Sequence, residues 1–211
     1  MVLEKSDGKT FASPIPYDWS YTTIGSQGKF DKGRGIRKNE AASGDIPCVR
    51  YGEIYTHHSD IIRSFNSFIS AQVAKTSQQI KTGDILFAGS GETKAEIGKC
   101  TVFIGTETAF AGSDIVIFQP LNTHPIFLAY ALNSPQAVRQ KASRGQGDAV
   151  VHISAKALST IEIPLPQDFS EQQAIAEALS DADTLIESLE QLFTKKRLIK
   201  QGAMQGRCRN C

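Results

Sequence analysis

Ile161-Glu-Ile-Pro-Leu-Pro-Gln-Asp168, followed at once by Phe169-Ser-Glu-Gln-Gln-Ala-Ile-Ala176, divides the chain into two kinds of sequence. Pro164 and Pro166 fix φ and remove two backbone donors, so this stretch is expected to run extended, as a connection without a regular ladder. Ser170 with Gln173 three residues on has the pattern of a capping box. From there to about Gln205 no proline occurs and the only glycine is Gly202, so one long helix is predicted. Its apolar residues Ile175, Leu179, Ala182, Ile186, Leu189 and Phe193 alternate at spacings of four and three, a coiled-coil seam widened on one side by Leu185, Leu192 and Ile199. About 35 helical residues rise roughly 50 Å, more than a body of about 170 residues readily covers. The seam is therefore expected to meet a helix of another chain or of a larger assembly; the alternative is a helix folded back on its own domain. Acidic residues gather early in the helix and basic ones late, as its dipole prefers and as antiparallel pairing would use.

Upstream of the proline stretch the period changes. Runs rich in β-branched and aromatic residues, Ile46 to Tyr55, Ile85 to Ala88, Thr101 to Thr106 and Ile115 to Phe118, read as strands between Gly, Asn, Asp and Ser. Pro125 to Leu132 and Pro135 to Ala142 carry Ala, Leu and Phe at helical spacing with a proline at the first turn, and read as short helices. The fold class is α+β: a globular mixed strand/helix domain over residues 1–166, a coiled-coil helix over 167–205, and a tail of doubtful origin over 206–211.

With 211 residues, 40% of them hydrophobic and 21% charged, the chain belongs to the ordinary globular class. Lys and Arg total 23 against 22 Asp and Glu, a net charge of +1, so any polyanion partner must be met by local clusters of charge. Four cysteines are too few for a disulfide scaffold, and residues 1–14 are too polar for a signal peptide. No apolar run reaches the roughly 18 residues of a membrane helix, and a cytoplasmic location is expected.

The densest basic stretch is Gly28 to Lys38, where Lys29, Lys32, Arg34, Arg37 and Lys38 are interleaved with three glycines. As a glycine-rich loop it can approach a phosphate backbone, and Arg can fork onto phosphate or guanine; a merely solvated loop is the alternative. Arg144 and Gln146, set between glycines, suit guanine and adenine edges, and Ser90, Thr93 and Lys94 follow a strand into a glycine turn suited to phosphate contact. Gly98-Lys99 is no P-loop, because Cys100 stands where Ser or Thr is needed. Asp84, Glu92 and Lys94 form the enzyme alternative, two carboxylates and a cation for a divalent metal in a standalone nuclease. His57 and His58 are adjacent and on a strand would face opposite ways, and Cys208-x-x-Cys211 lacks the second pair of a zinc site.

Ile163-Pro-Leu-Pro166, Glu171-Gln-Gln-Ala-Ile-Ala176 and the ending Ile199-Lys-Gln-Gly-Ala-Met-Gln205 resemble the DNA specificity subunits of type I restriction-modification enzymes. Gly44-Asp-Ile-Pro47, Gly52-Glu-Ile54, Lys81-Thr-Gly-Asp-Ile-Leu-Phe-Ala88 and Ile97-Gly-Lys-Cys100 extend the resemblance over nearly the whole chain. It implies a target-recognition domain and its helix, with no chemistry of their own. Such a subunit reads one half of a bipartite double-stranded DNA target and docks a modification (methyltransferase) subunit and a restriction/translocase subunit. S-adenosylmethionine, ATP and Mg then belong to those partners, and this chain needs no cofactor. The family carries two such domains and two helices, so this chain is expected to be a fragment or a half-subunit that forms a homodimer on an inverted split target. Ile175, Leu179, Ala182, Leu185, Ile186, Leu189, Leu192 and Phe193 are the expected helix interface. A non-DNA scaffold acting through its helix alone is the remaining alternative.

Overall fold

The computed structural model describes residues 15–208; the sequence readings for residues 1–14 and for the pair ending at Cys211 fall outside the described residues. In chain order the elements are β1 (Trp19–Thr23), β2 (Gly28–Lys32), β3 (Ile46–Val49), α1 (Tyr51–Thr56), β4 (Ser67–Ile69), α2 (Ala71–Ala74), β5 (Gln78–Ile80), β6 (Ile85–Ala88), β7 (Ser90–Gly91), β8 (Cys100–Val102) and β9 (Ala109–Ala111). They continue as β10 (Ile115–Pro120), α3 (Pro125–Asn133), α4 (Pro135–Arg144), β11 (Val151–His152), α5 (Ala155–Ser159), β12 (Glu162–Pro166) and α6 (Phe169–Cys208). The α+β class and the long terminal helix are as expected.

The middle layer is an antiparallel sheet in the order β2-β10-β6-β8. β6 reads Ile-Leu-Phe-Ala without a polar residue because both of its faces are covered. Ile85 and Phe87 join Val116, Phe118 and Val102 in a core closed by Leu128 and Leu132 of α3, Ala137 of α4 and Leu158 of α5. Leu86 and Ala88 join Ile115 and Ile117 in a second core, closed by Val49, Ile80, Ala109 and Ala111 of the outer sheet β4-β3-β9-β5 and by Ile54 of α1. Each of the large side chains buried here contributes about 1.5–3 kcal/mol of transfer free energy. Capping starts the α3–α4 pair: His124 Nδ1 accepts from the Phe127 amide, Ser134 Oγ accepts from the Ala137 amide, and each helix has proline in its first turn.

Four local readings are corrected. The run Ile46 to Tyr55 is a strand only as far as Val49, because the Glu53 carboxylate accepts from the Arg50 amide and opens a helical turn there. His57 and His58 therefore follow the end of α1 rather than alternate on a strand, with His58 buried and His57 exposed. Thr101 to Thr106 shortens to the three residues of β8. The helix starts two residues earlier than the Ser170 capping box predicts: Asp168 is the cap, accepting from the Ser170 amide and hydroxyl at 2.9 and 2.7 Å.

The proline stretch is also a correction, for β12 is a full antiparallel partner of β1, with Pro164 opposite Tyr21 and Pro166 opposite Trp19. The ladder survives because Glu162, Pro164 and Pro166 share the parity that turns away from β1. The Glu162 amide donates to Gln140 Oε1 of α4, so the prolines lose donors that β1 never needed.

α6 leaves the body after about two turns of apolar contact. Gln172 and Ala176 are buried, Phe127 and Leu165 pack beside Ala176, and Trp19 Nε1 donates to Glu171. Gln172 Oε1 accepts from the His124 amide and its Nε2 donates to the Pro166 carbonyl. Farther along, Ile175 stays partly buried but Leu179, Ala182, Leu185, Ile186, Leu189, Leu192 and Phe193 are exposed, with Leu179 at 41% and Leu185 at 61%. The body does not cover the seam. Among the described residues no helix is long and apolar enough to cross a membrane.

Candidate nucleic-acid interface

The basic stretch is not a loop at its start. Residues 28–32 form β2, the edge strand of the middle sheet, in register with β10: Gly28 opposite Pro120, Phe30 opposite Phe118, Lys32 opposite Val116. Phe30 and Phe118 rings lie 4.8 Å apart, and this contact fixes which residues face in. A Cβ on Gly28 would come 2.2 Å from the Gln119 carbonyl oxygen and 2.6 Å from the Phe118 ring, so the glycine serves close approach rather than phosphate binding. Because side chains alternate, Lys29 and Lys32 project from opposite faces of the strand and cannot act as one cluster.

Beyond β2 the chain turns sharply. Gly35 and Ile36 both take positive φ, 68° and 56°, and a β-branched residue is held there by burial of Ile36 beside Cys48 and Ile69. This turn splits the remaining cations. Arg34 is exposed but its guanidinium is engaged by Gln78 Oε1, through Nε at 3.1 Å and through Nη2. Arg37 caps a short turn through its amide, which donates to Glu40 Oε2 at 2.7 Å, leaving its side chain and that of Lys38 exposed.

The structure brings other candidates together. A cleft of about 600 Å³ opens between β2 and the segment that runs from α4 to α5, and Phe30, Lys32, Ser90, Arg144, Gln146 and His152 line it. Its floor is the start of β10 with Gly89. Its far wall is the small ladder of β7 and β11, extended by the Gln146–His152 bridge, in which each backbone donates to the other at 2.9 and 2.7 Å. Ser90 and His152 are hydrogen-bonded side chain to side chain at 2.9 Å between Oγ and Nδ1, and Ser90 is otherwise buried.

Arg144 is tied back rather than presented: Nε donates to Thr160 Oγ1 and Nη1 to the Gln140 carbonyl, both at 2.8 Å. Gln146 is exposed and lines the cleft. Thr93 and Lys94 are exposed but lie outside the cleft lining, and Thr93 donates to Glu96. Sequence reasoning missed Phe30, His152 and Asp114 as cleft residues. The signal for His152 was the short alternating run Val151-His-Ile-Ser154 after a glycine turn, too brief to be taken as a strand.

The three nuclease candidates do not converge. Asp84 precedes β6, is 4% exposed, and accepts from the Lys81 amide at 2.8 Å; burial raises its pKa above the usual carboxylate value. Glu92 and Lys94 lie past the other end of β6 and β7, in solvent. Among the described residues no group of three or more His, Cys, Asp and Glu side chains is placed to hold a metal ion.

Known proteins share this architecture. The chain is 24% identical over 194 residues to the type I restriction enzyme MjaVIII specificity subunit of Methanocaldococcus jannaschii, a match covering 90% of this chain and 42% of that subunit. The crystal structure of the type I restriction-modification S subunit from M. genitalium superposes with a TM-score of 0.60 at 20% identity, over 85% of this chain and 43% of that one. A structure described as the basis of complex assembly and conformational transition of the type I R-M system gives 0.58 at 17% identity, over 86% and 42%. The chain thus spans less than half the length of each relative. Residues 16–197, which include the middle sheet, the cleft and most of α6, match the family described as the type I restriction modification DNA specificity domain, and the chain belongs to that family.

Proposed function

We propose that this chain is a non-catalytic DNA-recognition unit that reads one half of a split double-stranded target and carries, on α6, the surface by which it joins its partners. The family match over residues 16–197 carries this reading. The cleft between β2 and the α4–α5 segment is the base-reading face. Lys32 and Gln146 supply charge and an amide at its rim, while Arg37, Lys38, Thr93 and Lys94 contact phosphates around it and Lys29 faces away from it. Arg144, bonded to Thr160, shapes the wall, and Ser90 holds His152 in place. Bipartite reading needs a second domain at a fixed separation. The exposed seam from Leu179 to Phe193 supports pairing with the corresponding helix of a second copy, and with a modification subunit and a restriction/translocase subunit, which supply S-adenosylmethionine, ATP and Mg.

The test is adenine methylation mapped across the genome of a host expressing this chain with its modification subunit. One split motif with inverted half-sites is expected. Methylation that ignores the presence of this chain overturns the reading.

A further inference from the structure

Apolar docking of α6 ends at Ala176, yet the helix remains attached to the body for nearly three more turns. Beyond Ala176, its side-chain bonds to the body among the described residues are two. Tyr130 Oη of α3 donates to Asp183 Oδ2 at 2.6 Å, and Arg63 Nε, from the segment between α1 and β4, meets Glu187 Oε1 at 3.1 Å. Asp183 and Glu187 are one helical turn apart, and with Gln172 and Ala176 they lie along one stripe of α6. That stripe is set roughly a quarter-turn around the helix from the seam. The two bonds come from different parts of the body, Tyr130 from α3 and Arg63 from the segment that leads into β4, and they hold the same face of the helix at two successive turns.

We infer that Tyr130–Asp183 and Arg63–Glu187 are positioning pairs that set the angle at which α6 leaves the body and so the phase between the two half-sites. The second half of this inference rests on the function proposed above; the first does not. A phenol-to-carboxylate bond of 2.6 Å is charge-assisted and directional. The Arg63–Glu187 pair has both side chains about a third or more exposed, at 34% and 42%, so it adds little to stability. A weak pair well beyond the pivot still restrains angle, because leverage grows with distance from Ala176. From Ala176 to Lys200 the helix rises about 36 Å, so a swing of roughly 5° moves its far end by about 3 Å. One base pair of spacer changes the separation of half-sites by a similar distance, about 3.4 Å.

The experiment places spin labels at Arg139→Cys on α4 and Lys200→Cys on α6, with Cys208→Ser and Cys211→Ser and with the labelled chain diluted in unlabelled protein. The buried Cys48 and Cys100 stay unlabelled. Distances by pulsed electron resonance are compared between this background and the same background with Tyr130→Phe and Glu187→Gln. A narrow distribution that shifts or broadens by about 3 Å or more in the double variant, at unchanged thermal midpoint, is expected. An unchanged distribution overturns the positioning role. In cells, with the modification subunit, the wild-type chain should methylate its own spacer in preference to spacers one base pair longer or shorter, and the double variant should lose that preference. Retained preference despite a shifted distribution overturns the link to spacing. A wild-type complex that methylates nothing overturns the proposed function instead, and the distances still decide the geometry.

Discussion

Lys141, with no exposed surface, donates from Nζ to the carbonyl oxygen of Gly98 at 2.7 Å, joining α4 to the turn that enters β8. Gly98 has φ of 72°, a left-handed conformation that glycine adopts without steric cost. Burial lowers the pKa of this amine below the ordinary lysine value of 10.5. Lys141→Ala leaves both a cavity and an unpaired carbonyl and should cost about 2–4 kcal/mol. Lys141→Met also leaves the Gly98 carbonyl unpaired but fills the space and removes a buried charge, and should cost about 1–2 kcal/mol, less than Lys141→Ala. Because the folded-state pKa is lowered, wild type should gain on the Met variant as pH rises toward 10.5. Urea unfolding of the three proteins at pH 7 and 9.5 measures both.

His58 should make the fold acid-sensitive. It is 4% exposed, and burial, then the charge of neighbouring His57, lowers its pKa from 6.5 to about 4. A depressed folded-state pKa means stability is fully present above 6.5 and is lost as pH falls toward 4, by about 3 kcal/mol in all. Denaturant midpoints at pH 7 and 4.5 should differ accordingly, and His58→Gln should flatten the difference. Equal slopes for both proteins would sink this account.

Two glycines should respond in opposite directions to alanine. Gly28→Ala forces a Cβ into the Gln119 carbonyl and the Phe118 ring and should destabilise by about 2 kcal/mol or more. Gly52, inside α1, has nothing within 4 Å of its missing Cβ, and Gly52→Ala should stabilise by about 0.5–1 kcal/mol. Thermal melts of the pair give the signs directly.

At the cleft, Lys32→Ala should weaken DNA binding across all sequences and reduce the slope of log affinity against log salt by about 1. Arg144→Ala should instead lower stability by about 1–2 kcal/mol, since its guanidinium bonds are to Thr160 and Gln140. Anisotropy titrations at several salt concentrations, beside melting curves, separate the two.

Replacing Leu189 and Phe193 by Glu should abolish self-association through α6 while leaving the body folded, because both side chains are more than half exposed in the single chain. Sedimentation mass against that of wild type is the measurement, and an unchanged dimer mass would refute pairing through this seam.

Much of this was legible beforehand for identifiable physical reasons. β6 announced itself as a strand buried on both faces by four successive apolar residues, and α6 by an uninterrupted period. Less legible were features made by pairing at a distance. The sequence Gly28 to Lys38 looks like a basic loop until Phe30 is placed on Phe118, which turns half of it into an edge strand and divides its cations. Arg144 looked free until Thr160 took its guanidinium. Asp183 and Glu187 stand in the sequence only among the acidic residues gathered early in the helix, since nothing local reveals Tyr130 and Arg63 opposite them.

The parity of β12 has a last consequence, for solubility. A two-stranded ladder at the margin of a domain ordinarily offers a row of free amides that recruits strands from other molecules. Here the outward positions are Glu162, whose amide is held by Gln140, and Pro164 and Pro166, which have none. The same residues that join the body to its helix thus leave this margin without a donor to template aggregation.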